Sequence, residues 1–303
     1  IMTGGPAFLF FRGKRVCPLF LYPEERFMVF KLLVTDIDET LSRGECVSPE
    51  VSAACRRLHE NGWSLMVATG RILATAISHI RGIEAFLPAI VYDGGRVMDP
   101  ASGKPICETL MDTQLALEIV TAGWDHPVEL QIIGDERAFC RRSDSMTRDF
   151  FLASGIPVDH SLTRPSVPHD VFRVIFHGSP VHIRTLQDHL KTLFRGRAGI
   201  VQAGEGFLDI LPPGVSKGAA LSSWLDTCHE SPDIIVAAGD HHNDLELLAA
   251  AHIAVAPEDG ADDVIRVADV IMPSADRHGF AVMAEWLLKW EGTRDEITGS
   301  VVL

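Results

Sequence analysis

The stretch VFKLLVTDIDET, residues 29–40, decides the fold, because a short apolar run is followed at once by acidic residues. Residues 29–35 are rich in β-branched and large apolar side chains, a pattern that predicts a buried strand. Asp36 and Asp38 follow, with one residue between them. Two carboxylates so close together need a cation or a shared proton, and a carboxylate can also act as a nucleophile. The stretch predicts a core strand that ends in a chemically active turn.

The alternation of strand and helix continues on both sides of a long central segment. Residues 48–61, 73–80, 217–228, 245–251 and 281–290 have helical patterns, and further strands are predicted over 64–68, 89–92, 234–238, 253–255 and 270–272. Strands that alternate with helices predict an α/β fold with a doubly wound parallel sheet and right-handed crossovers. Residues 29–95 and 206–291 are therefore predicted to form one discontinuous core.

The central segment, residues 96–205, has shorter strands and more turn signals, which predict an inserted α+β cap domain. Residues 1–28 show no steady apolar period, and their basic residues lie between two apolar patches rather than before one. That order is unlike a signal peptide, so we expect a poorly ordered N-terminal extension. Residues 292–303 are expected to form a frayed C-terminal tail.

The charge balance excludes some classes of partner. The chain has 27 Lys and Arg against 41 Asp and Glu, a net charge of −14. This acidity argues against nonspecific binding to nucleic acid or anionic membranes, and no apolar run approaches the ~20 residues of a membrane-spanning helix. The six cysteines are scattered without close pairs, which is typical of reduced thiols and predicts a cytoplasmic protein.

Two short segments have the composition of anion sites. Thr69-Gly70-Arg71 follows a predicted strand, where a hydroxyl and the N–H groups of a glycine turn can hold a phosphate. Lys217 lies at the start of a predicted helix, where a cation opposes the helix dipole and is better placed facing an anion. Taken singly, an ordinary strand-to-helix turn explains the tripeptide better than a phosphate site does, and a solvated surface lysine explains Lys217 equally well.

A third segment, GDHHND at residues 239–244, follows the strand IIVAA. Asp240, Asn243 and Asp244 offer oxygen ligands suited to Mg²⁺. The neighbouring His241 and His242 are compatible with a transition metal, but the oxygen donors favour a harder cation. A helix N-cap with an acidic first turn accounts for two of these residues and leaves Asp240 unexplained.

Taken together and in this order, the segments resemble those of the haloacid dehalogenase superfamily, in its Cof-like branch with a type IIB cap. The resemblance rests on KLLVTDIDETL (31–41), VATGR (67–71), ILPPGVSKGAAL (210–221) and GDHHNDLELL (239–248). AIVYDGGRVMD (89–99) and ADVIMPSADRHGF (268–280) match further family segments. The resemblance implies a Rossmann-like core with a cap and a Mg²⁺-dependent phosphatase of small phosphorylated metabolites, sugar phosphates first and cofactor phosphates second.

The resemblance also implies roles for the acidic residues. Asp36 corresponds to the nucleophile and a metal ligand, and Asp38 to the general acid and base, with its backbone carbonyl on the metal. Asp240 corresponds to a direct Mg²⁺ ligand, and Asp244 to a residue that supports the metal.

The same resemblance implies where the phosphate is held. Thr69, in the turn with Gly70, and Lys217 correspond to residues that hold the phosphoryl oxygens, and Asn243 to one that supports them. Three places depart from the family pattern. Glu39 stands where glycine is usual, Asp93-Gly94-Gly95 replaces Asn-Gly-Ala, and residues 256–260 replace Met-Gly-Asn-Ala.

Three alternatives to a phosphatase remain open. A phosphomutase of the same superfamily would use the same groups. A receiver-like signalling module also combines acidic residues, Thr and Lys around Mg²⁺, but it has no insertion between its core strands. A phosphate-binding protein without turnover is the third alternative, which Glu39 makes conceivable.

Overall fold

The computed structural model describes residues 29–141, 143–153, 156–202, 204, 206–290 and 301–303, together with two short strands near the N-terminus. These are β1 (Phe10–Phe11) and β2 (Lys14–Arg15), which pair in antiparallel orientation. The rest of the predicted extension, and the predicted tail as far as residue 300, lie outside the described residues.

The predicted parallel sheet is confirmed and has six strands in the order β17-β16-β15-β14-β3-β4. All neighbouring strands in it are parallel. Its strands are β3 (Lys31–Thr35), β4 (Trp63–Val67), β14 (Ile234–Ala238), β15 (Ile253–Pro257), β16 (Val270–Met272) and β17 (Val301–Val302). The edge strand β17 corrects the sequence prediction, because Val301 and Val302 pair with β16 rather than fray.

Helices cover both faces of this sheet, since alternate side chains of a strand point to opposite sides. Leu33 of β3 lies in one buried cluster with the helices α1 (Pro49–Glu60), α2 (Leu73–Gly82) and α9 (Gly279–Lys289). Leu32 and Val34 lie in a second cluster with α6 (Lys217–Leu225), α7 (Leu245–Ala249) and α8 (Asp262–Val267). The result is a doubly wound core of three layers.

The start of α1 illustrates how local sequence sets these elements. The Ser48 side chain accepts a hydrogen bond from the Val51 backbone N–H, and Pro49 occupies the first helical position. A serine N-cap followed by proline satisfies a free N–H and fixes the first turn. The predicted helix over 48–61 is confirmed within one residue at each end.

A second sheet, the cap sheet, has six strands in the order β10-β9-β8-β11-β13-β12. It is antiparallel except for the pair β9 and β10. The helices α3 (Thr113–Gly123), α4 (Ser145–Ala153) and α5 (Pro180–Leu193) accompany it. Its strands are β8 (Glu129–Gly134), β9 (Arg137–Arg141), β10 (Val158–Leu162), β11 (Arg173–His177), β12 (Gly199–Gln202) and β13 (Phe207–Leu211).

The position of β13 corrects the sequence analysis. Residues 207–211 were assigned to the core, but β13 pairs antiparallel with both β11 and β12 of the cap sheet. The buried run FLDIL fits either sheet equally well, because its periodicity does not identify its partner strands. The predicted boundary at residues 205 and 206 therefore falls between two paired strands, and the division into domains stays a prediction.

A third, antiparallel sheet connects the two regions. It contains β5 (Ala89–Val91), β6 (Arg96–Asp99) and β7 (Lys104–Glu108). Residues 89–92 were expected in the parallel sheet, but β5 touches it through a single bridge, Ala68 to Ile90. The sequence analysis also missed β6, β10 and α8, which are short or partly exposed.

Candidate active site

Three buried aspartates meet at the carboxyl ends of two adjacent strands. Asp36 follows β3 and Asp240 follows β14, and these strands are paired up to Thr35 and Ala238. Asp244 lies in the short 3₁₀ turn after β14. One carboxylate oxygen from each aspartate lies within 4.8 Å of the others. The expectation that strand ends bring these residues together is met, as the edge rule for open α/β sheets requires.

Asp36 has the most strongly perturbed environment of the three. Burial raises its pKa well above the usual range, and the Lys217 ammonium opposes this while Asp244, Asp240 and Asp38 add to it. Its Oδ1 is buried, accepts no hydrogen bond within the described residues and lies 3.0 Å from the Lys217 ammonium. A buried carboxylate oxygen that is balanced by an ion pair and not by hydrogen bonds has capacity for a metal ion.

Asp240 is held in this acidic group by a residue of the first motif. The Thr40 hydroxyl donates a hydrogen bond to Asp240 Oδ1 over 2.8 Å. Burial and the neighbouring Asp244 carboxylate raise the pKa of Asp240 to about 7. Without a bound metal ion, ionisation of this carboxylate therefore costs free energy in the folded protein.

Lys217 is fully buried and faces anions, as its position in the sequence suggests. Its Nζ lies 2.7 Å from Asp244 Oδ1 and 3.0 Å from Asp36 Oδ1. Burial lowers the pKa of this amine, but the two carboxylates outweigh that effect and raise it. Asp244 Oδ2 accepts the backbone N–H groups of Asp240 and His241 over 3.1 and 3.2 Å. Both oxygens of Asp244 are thus occupied, so it positions Lys217 and the loop.

Asp38 lies outside the buried group. Its side chain is 55% exposed and accepts two hydrogen bonds from Arg71. Nη2 of Arg71 donates one over 2.6 Å, and Nε donates the other over 3.0 Å. The sequence analysis quoted Arg71 within a motif but gave it no role. Its fork fixes the orientation of a carboxylate that stays open to solvent, which suits a group that transfers protons.

Thr69 and Gly70 form the turn after β4. Thr69 is buried, and its Oγ1 accepts the backbone N–H of Arg71 over 3.1 Å. A Cβ at residue 70 would lie 2.9 Å from Asp93 Oδ2 and 3.1 Å from Arg173 Nη1. Glycine is needed at this position because two side chains from elsewhere pack directly against the backbone.

Those two side chains belong to a buried ionic network that sequence reasoning missed. Arg173 of β11 contacts Asp93, and its Nη1 lies 2.6 Å from Oδ2 of Asp209 in β13. Asp93 in turn accepts a hydrogen bond from Asn243 Nδ2 over 2.9 Å. Burial opposes ionisation of Asp93, but Arg173 and Lys217 outweigh it and lower its pKa. Asp93 itself was visible in the sequence as a sign of this network, because the family pattern has asparagine at that position and the carboxylate needs a cationic partner.

Another departure also has an ionic partner. Glu39 adopts φ 59°, a left-handed conformation that favours glycine. Arg43 forms ion pairs with Glu39, Asp259 and Asp276. It thereby connects the first motif to residues 256–260, the segment that differs from the family pattern. Glu39 therefore combines a strained backbone conformation with a side chain that belongs to this exposed ion-pair cluster.

The charge balance of the site fits a divalent cation. Five buried carboxylates lie around the cations of Lys217 and Arg173; the carboxylates are those of Asp36, Asp93, Asp209, Asp240 and Asp244. All three members of the group able to hold a metal ion are aspartates, and hard oxygen donors prefer Mg²⁺ over softer metals.

A cavity of about 570 Å³ lies between this site and the cap sheet. Its core side includes Asp36, Asp38, Asp240 and Asn243, and its cap side mixes apolar and polar side chains. The apolar ones are Ile133, Met146, Phe151, Ile156, Ile175 and Phe207, and the polar ones are Gln131, Thr147, Arg173, His177 and Asp209. His177 stacks on Phe207 with ring centroids 4.2 Å apart. The cavity can hold a small molecule with its anionic end on the core and its body against the cap.

Comparison with known sequences gives one consistent result. A family model described as haloacid dehalogenase-like hydrolase matches residues 33–283. An HMP-PP phosphatase of Cronobacter sakazakii is 28% identical over 71% of this chain and 79% of its own length. A Bacillus subtilis 5-amino-6-(5-phospho-D-ribitylamino)uracil phosphatase is 23% identical over 82% of this chain and 94% of its own length.

One relative is much longer. The chloroplastic endoribonuclease YBEY of Arabidopsis thaliana is 28% identical over 83% of this chain, which spans 45% of that relative's length.

Solved structures agree on the fold. A haloacid dehalogenase-like hydrolase from Bacteroides thetaiotaomicron superposes with a TM-score of 0.72 at 21% identity, covering 85% of this chain and 99% of the other. A haloacid dehalogenase subclass IIB sugar phosphatase gives a TM-score of 0.71 at 17% identity, covering 85% and 98%. Within the described residues, none of the helices has the length and apolar character needed to cross a bilayer.

Proposed function

The chain belongs to the haloacid dehalogenase-like hydrolase family, and on that premise we propose that it is a Mg²⁺-dependent phosphatase of small phosphorylated metabolites. The observation that carries the proposal is the group of three buried aspartates with Lys217 among them, at the polar end of the cavity. Phosphoryl transfer mainly requires positioning and charge neutralisation, and this group supplies both.

We assign the chemical steps to the two carboxylates of the first motif. An Asp36 carboxylate oxygen attacks phosphorus, the bond to the leaving oxygen breaks, and Asp38 gives that oxygen its proton. The ionised Asp38 then takes a proton from water. The resulting hydroxide attacks the aspartyl-phosphate, which releases inorganic phosphate and restores Asp36. Arg71 orients Asp38 through both steps.

Mg²⁺ would be held by Asp36 and Asp240, with Asp244 supporting the site, and it would neutralise charge on the phosphoryl group. Lys217 adds a fixed positive charge beside the attacking carboxylate, and Asp244 prevents it from moving. The turn of Thr69 and Gly70, together with Asn243, is assigned to the phosphoryl oxygens. The buried Asn243 Oδ1 has no hydrogen-bond partner among the described residues, so this side chain has capacity for a ligand.

The lining of the cavity bears on the substrate class. A phosphate ester with a planar or partly apolar body can contact Phe207 and Phe151, and a sugar body can find hydrogen-bond partners in Gln131, Thr147 and His177. Among the relatives named above, one is a phosphatase of a phosphorylated uracil compound by name, and one similar structure is that of a sugar phosphatase by name. We therefore keep sugar phosphates and heteroaromatic phosphates, such as cofactor phosphates, as the two candidate substrate classes.

Phosphate release from a panel of phosphorylated sugars, nucleotides and vitamin-type heteroaromatic esters tests the proposal, with Mg²⁺ and with excess chelator. We expect release that requires Mg²⁺ and disappears in Asp36→Asn. Release that persists in chelator would contradict the mechanism. Recovery of an isomeric phosphate instead of free phosphate would identify a phosphomutase, and binding without turnover would identify a binding protein.

Location is a separate prediction. Cys46, Cys55, Cys107 and Cys140 are free thiols, in line with the reduced state expected from the sequence. We keep a cytoplasmic location as a prediction on that ground.

A further inference from the structure

Arg173 is a cap-sheet residue whose contacts reach the two turns assigned to phosphate binding. Its Nη2 donates to the Gly70 carbonyl over 2.6 Å, which fixes the turn after β4. Its Nη1 contacts the Asp93 carboxylate, whose other oxygen accepts the Asn243 side chain over 2.9 Å. One guanidinium therefore holds both turns, one directly and one through a carboxylate.

The surroundings of Arg173 suit a rigid support. Its side chain is only 12% exposed, and Asp209 holds it from the cap side at 2.6 Å. Asp93 itself has φ 53°, an unusual conformation for a residue other than glycine, which the surrounding contacts must maintain. Gly70 has no room for a Cβ against Arg173 and Asp93. The turn, the carboxylate and the guanidinium thus fit together as one unit.

We propose that Arg173 is a positioning residue for phosphoryl transfer: from the cap sheet it orients the Gly70 turn directly and Asn243 through Asp93. This inference rests on the proposed function. It makes the cap sheet a structural part of the phosphate site as well as a wall of the cavity. Lysine cannot replace arginine in this role, because one ammonium cannot reproduce the planar fork that reaches Gly70, Asp93 and Asp209 together.

Arg173→Lys keeps the buried charge and removes the fork, and Arg141→Lys is the matched control. Arg141 is also a cap-sheet arginine, held by Asp144 at 3.0 Å and by the carbonyls of Trp124 and Val128. We expect Arg173→Lys to lower kcat at least tenfold with a smaller change in KM, and to weaken orthovanadate binding in Mg²⁺ at least tenfold. Arg141→Lys should stay within twofold of the wild type in all three.

Two readouts separate positioning from general damage. Hydrogen exchange of residues 69–72 and 239–244 should accelerate in Arg173→Lys and stay unchanged in Arg141→Lys, with or without a ligand. Asp93→Asn should give a similar loss of kcat, and the double variant should lose no more than the worse single variant, since both act through one link. Asp93→Asn also carries the test if Arg173→Lys does not fold.

The outcomes distinguish this inference from the function beneath it. A wild-type protein that neither releases phosphate nor binds orthovanadate contradicts the proposed function and this inference with it. A normal wild type with Arg173→Lys indistinguishable from Arg141→Lys overturns the inference alone. A rise in KM with unchanged kcat, or additive losses with Asp93→Asn, also overturns it, because Arg173 would then act on the substrate directly.

Discussion

Replacing Asp36 and Asp38 separately by asparagine should impair turnover in both cases without a large loss of folding stability in either. Asp36 is buried and its pKa is raised, so its charged form is disfavoured in the folded protein. Asparagine has the same shape without the charge. Without Mg²⁺, Asp36→Asn should therefore leave the free energy of unfolding unchanged or increase it, while it removes the nucleophile completely.

Asp38 is expected to behave differently because it is half exposed. Its pair with Arg71 is open to solvent on the Asp38 side, with Arg71 itself 18% exposed. Solvent-accessible pairs contribute about 0–1 kcal/mol to stability, so Asp38→Asn should cost about 1 kcal/mol. Loss of a general acid and base lowers kcat by roughly 10²–10⁴, or about 2.7–5.4 kcal/mol of transition-state stabilisation. Catalysis should suffer far more than folding.

The two variants also differ in the intermediate that they accumulate. With an aryl phosphate, whose leaving group needs no proton, the first step should survive in Asp38→Asn better than the hydrolysis that follows. Intact-protein mass spectrometry after rapid acid quench should show one added phosphoryl group in Asp38→Asn and none in Asp36→Asn. Urea denaturation without Mg²⁺ gives the stabilities. Equal labelling of both variants, or a phosphoryl group on Asp38 itself, would refute the assignment of roles.

Three further predictions concern the buried charges. Lys217→Met should lower the free energy of unfolding by about 3–5 kcal/mol in urea denaturation, because it leaves buried carboxylates unpaired. The control Lys191→Met, at an exposed lysine, should change it by no more than about 0.5 kcal/mol. Mg²⁺ at 100 times its dissociation constant should stabilise the wild type by about 2.7 kcal/mol in thermal unfolding, and Asp240→Asn should lose most of this gain. Without metal, the raised pKa of Asp240 adds stability that is present below pH 3.8 and is lost as the pH rises through about 7. This is contradicted if the free energy of unfolding of the wild type does not change between these pH values, or if Asp240→Asn does not reduce the change.

The sequence could predict the acidic group because strand polarity determines where it lies. Once the runs before Asp36 and Asp240 are read as parallel strands, both residues must emerge at the same edge of the sheet. Lys217 lies at a helix start, a position that fits a solvated lysine as well, so its assignment to an anion depended on the family resemblance. Chain direction is enough for the two aspartates.

The ionic network could not be predicted in the same way. Arg173 lies 80 positions from Asp93 and 36 from Asp209 in the chain, and no local periodicity relates such distant residues. Asp209 was hidden further by the assignment of FLDIL to the core, since that run is equally apolar in either sheet. The departure at Glu39 was visible in the sequence, but its left-handed backbone and its partner Arg43 depend on tertiary structure.

The short strand β17 forms one edge of the parallel sheet, and β4 forms the other. Without Val301 and Val302, the N–H and C=O groups along the outer side of β16 would be open to pairing with a strand of another molecule. With them, the exposed edge is only two residues long and offers a poor template for intermolecular β-pairing. Val301 and Val302 therefore shorten the length of this edge of the catalytic sheet that a strand of another molecule could pair with.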